Sequence, residues 1–127
     1  ILAVCQNSAL LREESGQNGT QMRRMQKMLA FMECHYMEQV RLQQIADSAG
    51  ISCRECMRIF KQVTGTSPKR YLNTLRLQKA KQLLAETTAS VSEICGCCGF
   101  VDQSYFTKIF RQQFGLSPGR FRKIEQE

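Results

Sequence analysis

The chain has 127 residues, 43% hydrophobic and 23% charged, a composition that excludes a disordered tail and suits one globular domain plus a fragment of another. Lys and Arg outnumber Asp and Glu 18 to 11, for a formal net charge of +7. That field favours polyanions, nucleic acid or an anionic membrane surface, and carries no information on fold.

The chain opens at Ile1 rather than Met and reads as a fragment. Ile1–Cys5 is too short to cross a bilayer, and Gln6 and Asn7 end it. It lacks a basic leader and a cleavage site, so neither a signal peptide nor a membrane partner is expected. Residues 1–14 read as a short, mostly apolar helix that needs a partner surface. Ser15–Thr20, SGQNGT, reads as a linker. From Gln21, the residues Met22, Met25, Met28, Leu29, Met32 and Tyr36 recur at three and four residues. They predict one apolar stripe on a helix running to about Met37. With a charged opposite face, that stripe is expected in the core rather than on a methionine-rich binding surface.

The chain then repeats itself. LQQIADSAGISCRECMRIFKQVTGTSPKRYL from Leu42 returns as VSEICGCCGFVDQSYFTKIFRQQFGLSPGRF from Val91. Ile45 and Gly50 are matched 49 residues on by Ile94 and Gly99. Phe60, Gly65 and Ser67-Pro68 are matched 50 on by Phe110, Gly115 and Ser117-Pro118. One extra residue therefore lies between Gly99 and Asp102. Each copy predicts a short helix, a glycine turn and a second helix, a helix-turn-helix. Ser52 and Asp102 are the expected N-caps of the second helices. Cys56, Ile59, Phe60 and Val63 should bury one face of the first of these, and Phe106, Ile109, Phe110 and Phe114 one face of the other. The opposite faces then present Arg54, Met57, Arg58 and Lys61, and Gln103, Ser104, Thr107, Lys108 and Arg111. Between the copies, Ser67 caps and Pro68 opens a linker helix to Glu86, about 30 Å long, with Leu77, Ala80, Leu83 and Leu84 facing a core. Ser117-Pro118 should start a last short helix carrying Phe121.

LQQIADSAGIS, RIFKQVTGTSPKRYLNTLRLQKAKQLL, VSEICGCCGF and DQSYFTKIFRQQFGLSPGRFR together resemble the DNA-binding domain of the AraC/XylS family of bacterial transcription regulators, over about Gln21 to Lys123. The closing block, with its GF, D-x-S-Y-F and F-G-x-S-P-x-x-F-R, is the most specific part. Cys95 and Cys98 stand where small residues are usual, and Phe121 where a tyrosine is common. The resemblance implies that Arg58 occupies a base-contacting position. It also implies that the domain follows a sensor domain, of which residues 1–14 would be the last helix.

The expected fold is all-α, with two helix-turn-helix subdomains joined by a long linker helix, about seven helices in all, preceded by a short extra one. Residues 1–20 form the sensor remnant and linker, and 21–127 the DNA-binding domain. Within it the first helix-turn-helix spans about 42–65, the linker helix about 67–86 and the second helix-turn-helix about 91–115. The expected function is sequence-specific binding of a double-stranded DNA operator, with two recognition helices reading successive major-groove segments. Base contacts are expected from Arg54, Met57, Arg58, Gln103, Ser104, Thr107 and Lys108, because Arg pairs with guanine, Gln with adenine, Lys with guanine or else a phosphate, and Met with a thymine methyl. Ser104 and Thr107 have the alternative of bonding within the first helical turn. Phosphate contacts are expected from Lys61, Lys69, Arg70, Lys81 and Arg111, within a wider basic supply that includes Arg76, Lys79, Arg120, Arg122 and Lys123. Arg76 has an inward structural pairing as its alternative.

The seven cysteines, an odd number in a helical chain, read as reduced and cytoplasmic. Cys53-x-x-Cys56 and Cys95-x-Cys97-Cys98 have zinc-ligand spacing but fall in different copies, so no metal and no cofactor is expected. Cys97 or Cys98 could serve as an exposed redox sensor. His35, the single histidine, is expected at the surface at the end of the first helix. No nucleophile–base pair, phosphate loop or paired carboxylates point to an enzyme. The alternatives are a thiol- or metal-responsive sensor whose DNA binding is secondary, and a structural helical module. Further partners are RNA polymerase, for an activator, and a second copy joined through the sensor domain.

Overall fold

The computed structural model describes residues 16–126. The helix expected over residues 1–14 lies outside them. Among the described residues there are seven helices and no strand: α1 Gly16–His35, α2 Leu42–Ser48, α3 Cys53–Thr64, α4 Pro68–Glu86, α5 Val91–Cys97, α6 Gln103–Phe114 and α7 Pro118–Glu125. The chain divides into two units. One gathers described residues 16–36 and 40–72, the other 37–39 and 73–126, with the division falling inside α4.

Helix α1 starts at Gly16, so most of the segment read as a linker is helical. A glycine inside a helix costs about 1 kcal/mol relative to alanine, which propensity alone counts as a break. Gly19 is nevertheless inside the helix and buried. Met25, Met28 and Met32 are buried as the stripe requires, while Met22, Leu29 and Tyr36 at its edges are half-buried. Helices α1, α2 and α3 pack on one another, burying Ile45 and Ala46 of α2 and Cys56, Ile59 and Phe60 of α3. Val63, expected on the buried face, is 36% exposed. It lies in the last turn of α3, where the chain has little left to pack against before Gly65 ends the helix.

The second unit closes over Leu77, Ala80 and Leu84 of α4, Ile94, Cys95 and Cys98, and Phe100, Phe106 and Phe110. Leu83, Ile109, Phe114 and Phe121 pack against its edge, half-buried. The rings of Phe106, Phe114 and Phe121 lie 5.8, 4.6 and 5.9 Å from that of Phe110.

Both turns are built alike. Gly50 and Gly99 have φ of +68° and +92°, the left-handed region that side chains resist. The next N–H then reaches back, from Ile51 to the Ala46 carbonyl at 3.1 Å and from Phe100 to the Cys95 carbonyl at 3.0 Å. These bonds pair Ile51 with Phe100, so the inserted residue of the second copy is Val101. It is 82% exposed and leaves the packing of the turn intact. After each second helix, Gly65 and Gly115 donate to Lys61 and Arg111 carbonyls at 3.0 and 2.8 Å. Ser67 and Ser117 then cap the next helix, accepting from the N–H of Arg70 and Arg120.

Candidate nucleic-acid interface

The orientation of α3 is set at its first turn. Ser52 Oγ accepts the Glu55 N–H at 3.2 Å, and Cys56, Ile59 and Phe60 turn inward. The remaining stripe places Arg54, Met57, Arg58 and Lys61 in solvent, as the sequence predicts; Met57 is 48% exposed. These four side chains, with Thr66 and Arg70, line an open cleft of about 520 Å³. Three guanidinium groups and an ammonium gather positive charge around this concave surface. Lys69, exposed at the start of α4, adds to the positive field of this unit.

The face also holds a carboxylate that its basic pattern does not announce. Arg58 donates from Nε to Glu55 Oε1 at 2.9 Å and from Nη2 to Glu55 Oε2, and from Nη1 to Gln62 Oε1 at 3.1 Å. Arg24 of α1 approaches the same carboxylate at 3.7 Å. The hydrogen bonds from Arg58 hold the Glu55 carboxyl below its usual range. The i, i+3 spacing of Glu55 and Arg58 was the available signal.

In α6 the cap is Asp102, whose carboxylate accepts the N–H groups of Ser104 and Tyr105 at 2.9 and 3.4 Å. Asp102 is thus the N-cap that the sequence predicts. Gln103, Ser104, Lys108 and Arg111 are exposed and Thr107 is half-buried. Tyr105, not singled out from sequence, is 45% exposed, and its hydroxyl accepts from Asn73 Nδ2 at 3.3 Å.

Several cations of the basic supply face protein instead. Arg76 is buried, donates from Nη2 to the Glu38 carbonyl at 2.7 Å and sits 5.9 Å from the Phe100 ring centre. Burial lowers its pKa, as desolvation of a guanidinium should. Its structural alternative is the one realised. Arg122 donates to the carbonyls of Leu84 and Thr87 at 3.2 and 3.1 Å, closing the C-terminal end of α4. The Lys81 ammonium rests 4.9 Å from the Phe114 ring centre and 6.0 Å from that of Phe121. Arg120 and Lys123 are exposed.

The cysteines do not converge. Cys56, Cys95 and Cys98 are buried, and burial pushes the thiols of Cys56 and Cys98 up to about 11. Cys98 is therefore not an exposed thiol, whereas Cys97 is. Among the described residues no group of three or more His, Cys, Asp or Glu side chains could hold a metal ion. His35 ends α1 half-buried, its ring 4.4 Å from that of Phe31, rather than standing clear at the surface.

The architecture has known counterparts. A transcriptional regulator with an AraC-type DNA-binding domain from Chromobacterium violaceum superposes with a TM-score of 0.78 at 33% identity, over 82% of this chain and 93% of that one. The DNA-binding domain of AdpA, solved with a target DNA, gives 0.74 at 33% identity, over 78% and 89%. The transcriptional activator RhaS of Escherichia fergusonii is 39% identical over 123 residues, 97% of this chain. RhaS of Escherichia coli K12 is 40% identical over 116 residues, 90% of this chain. The chain spans 42% of the length of these RhaS relatives. A helix-turn-helix domain family matches residues 45–124, both copies and the helix between them. With its two glycine-turned helix pairs and these relatives, the chain belongs to the AraC-type helix-turn-helix family of transcription regulators.

Proposed function

We propose that this chain is the sequence-specific DNA-binding module of a bacterial transcription regulator, and that each helix-turn-helix lays its second helix in a major groove. The observation that carries this is the pair of exposed faces on α3 and α6, each opposite a buried stripe and each ending in a basic residue, Lys61 and Arg111. On α3, Arg54 and Arg58 are the guanine-reading side chains and Met57 the apolar contact. On α6, Gln103, Ser104, Thr107 and Lys108 read bases. Lys61, Lys69, Arg70 and Arg111 meet phosphates. Lys81 is the weakest of the expected phosphate contacts, because leaving Phe114 forfeits its cation–π contact.

The AdpA domain was solved on a target DNA, and the RhaS relatives are named activators, which supports RNA polymerase as a further partner. The segment ahead of α1 is read as the tail of a sensor domain, supported by the greater length of those relatives. A second copy would join through that domain. The proposed location is the cytoplasm; among the described residues no helix is long and apolar enough to cross a membrane. No reaction chemistry is assigned to the chain.

The test is fluorescence anisotropy with labelled duplexes of mixed sequence over a salt series. Affinity should fall steeply with salt, and Lys69→Ala should weaken binding uniformly across sequences and flatten the salt slope by about one. Absence of salt-dependent binding would leave only a structural helical module.

A further inference from the structure

We propose that Glu55 is a positioning residue for base recognition: its carboxylate clamps the side edge of the Arg58 guanidinium and aims the remaining fork at a guanine. The inference rests on Arg58 being a base-reading side chain. A guanidinium carries five N–H donors. Glu55 takes two, one from Nε and one from Nη2, through its two oxygens, a bidentate grip that fixes the plane of the group. Gln62 takes one from Nη1. Two N–H bonds are left, one on each terminal nitrogen, and the O6 and N7 of guanine accept two.

The clamp is itself held. The Glu55 backbone is fixed by the Ser52 cap, and Arg24 approaches its carboxylate from a different helix, α1. Glu55 is also the one acidic residue of α3, on a helix whose cations should meet a polyanion. A carboxylate there opposes phosphate binding, so its benefit must lie elsewhere than in affinity. The second copy has Tyr105 at the matching place and no acidic residue in α6, so the device belongs to the first copy alone. Holding a flexible arginine in one geometry makes it costly for that side chain to swing to another base or to a phosphate.

The experiment starts from duplexes that the chain itself selects from a random pool. In the selected duplex each guanine is replaced in turn by 7-deazaguanine, which lacks the N7 acceptor. Arg58→Ala identifies the guanine whose replacement no longer matters. At that guanine, Glu55→Ala should lower the penalty of replacement about fivefold or more, while affinity for random duplex rises. Glu55→Gln, which keeps the shape and one acceptor oxygen, should fall between. The Glu55→Ala/Arg58→Ala double variant should discriminate no worse than Arg58→Ala alone. Helix content and the thermal midpoint are followed for every variant, so that a folding defect is seen as such. Equal tightening on all duplexes with discrimination unchanged would overturn the proposal, leaving Glu55 as a repulsive charge only. A lowered midpoint with discrimination unchanged would overturn it too, in favour of a structural ion pair. If Arg58→Ala itself spares discrimination at every guanine, the base-reading assignment of Arg58 fails first and the proposal falls with it.

Discussion

The unit around α3 fills its interior with three methionines of α1, the Cys56 thiol, Ile59 and a single phenylalanine, Phe60. The unit around α6 fills the matching space with rings: Phe106 stands where Cys56 does, Phe100 where Ile51 does, and Phe110 touches three other aromatics. Their backbones nevertheless follow one plan, with the same left-handed glycines and a polar cap at the start of each second helix. The plan is thus set by short local signals, and the filling is free to vary as long as volume is conserved. The exposed faces have diverged further. One offers two arginines, of which Arg58 is gripped by a carboxylate; the other offers small polar groups and a lysine with no acidic neighbour on its helix.

The largest effects should come from the two fillings. Phe110→Ala removes the hub of the aromatic cluster and should cost about 4 kcal/mol, near the upper range for such truncations. Hydrogen exchange should show protection lost from α5, α6 and α7. Phe60→Ala, with one ring neighbour, Tyr71 at 5.7 Å, should cost less, about 3 kcal/mol, with the loss in α2 and α3. Equal costs would mean that the aromatic contacts contribute nothing beyond buried area.

The caps sharpen the comparison at a smaller scale. Asp102 accepts two N–H groups and Ser52 one. Asp102→Ala should destabilise by about 1.5 kcal/mol and Ser52→Ala by about 1 kcal/mol, read from denaturant unfolding. Smaller still in energy, but distinct in rate, is thiol chemistry. Raised pKa values leave Cys56 and Cys98 little thiolate at neutral pH, and both are buried. Mass-resolved alkylation at pH 7 should label Cys97 and Cys34 at least about tenfold faster than Cys56 or Cys98. Fast labelling of Cys98 would mean that the α5 turn opens readily.

What the sequence made legible follows the same division. Elements, caps and the site of the inserted residue were readable, because N-caps, left-handed glycines and 3.6 spacing act over a few residues. The outward faces of α3 and α6 were readable too, as the complement of a buried stripe. Arg76 was not, since its fate depends on the Glu38 carbonyl 38 residues away. Arg122 and Lys81 were counted as solvent cations for the same reason: the carbonyls and rings that engage them are brought near only by folding. Val63 fits the apolar period, but the period does not tell where the neighbouring surface stops. Glu55 is legible only in its i, i+3 spacing to Arg58, since a single acid on a basic helix does not by spacing alone announce which cation it holds.

In the proposed function both second helices read sequence, each with its own chemistry. Selection from a random duplex pool, run side by side with the unaltered chain, Arg58→Ala and Lys108→Ala, tests it most directly. The unaltered chain should recover a motif with two blocks of sequence preference. Arg58→Ala should erase guanine preference in one block, a loss of about 1–3 kcal/mol at that position, and spare the other. Lys108→Ala should do the reverse. A single block that Lys108→Ala leaves untouched would contradict the account, reducing α6 to a backbone contact.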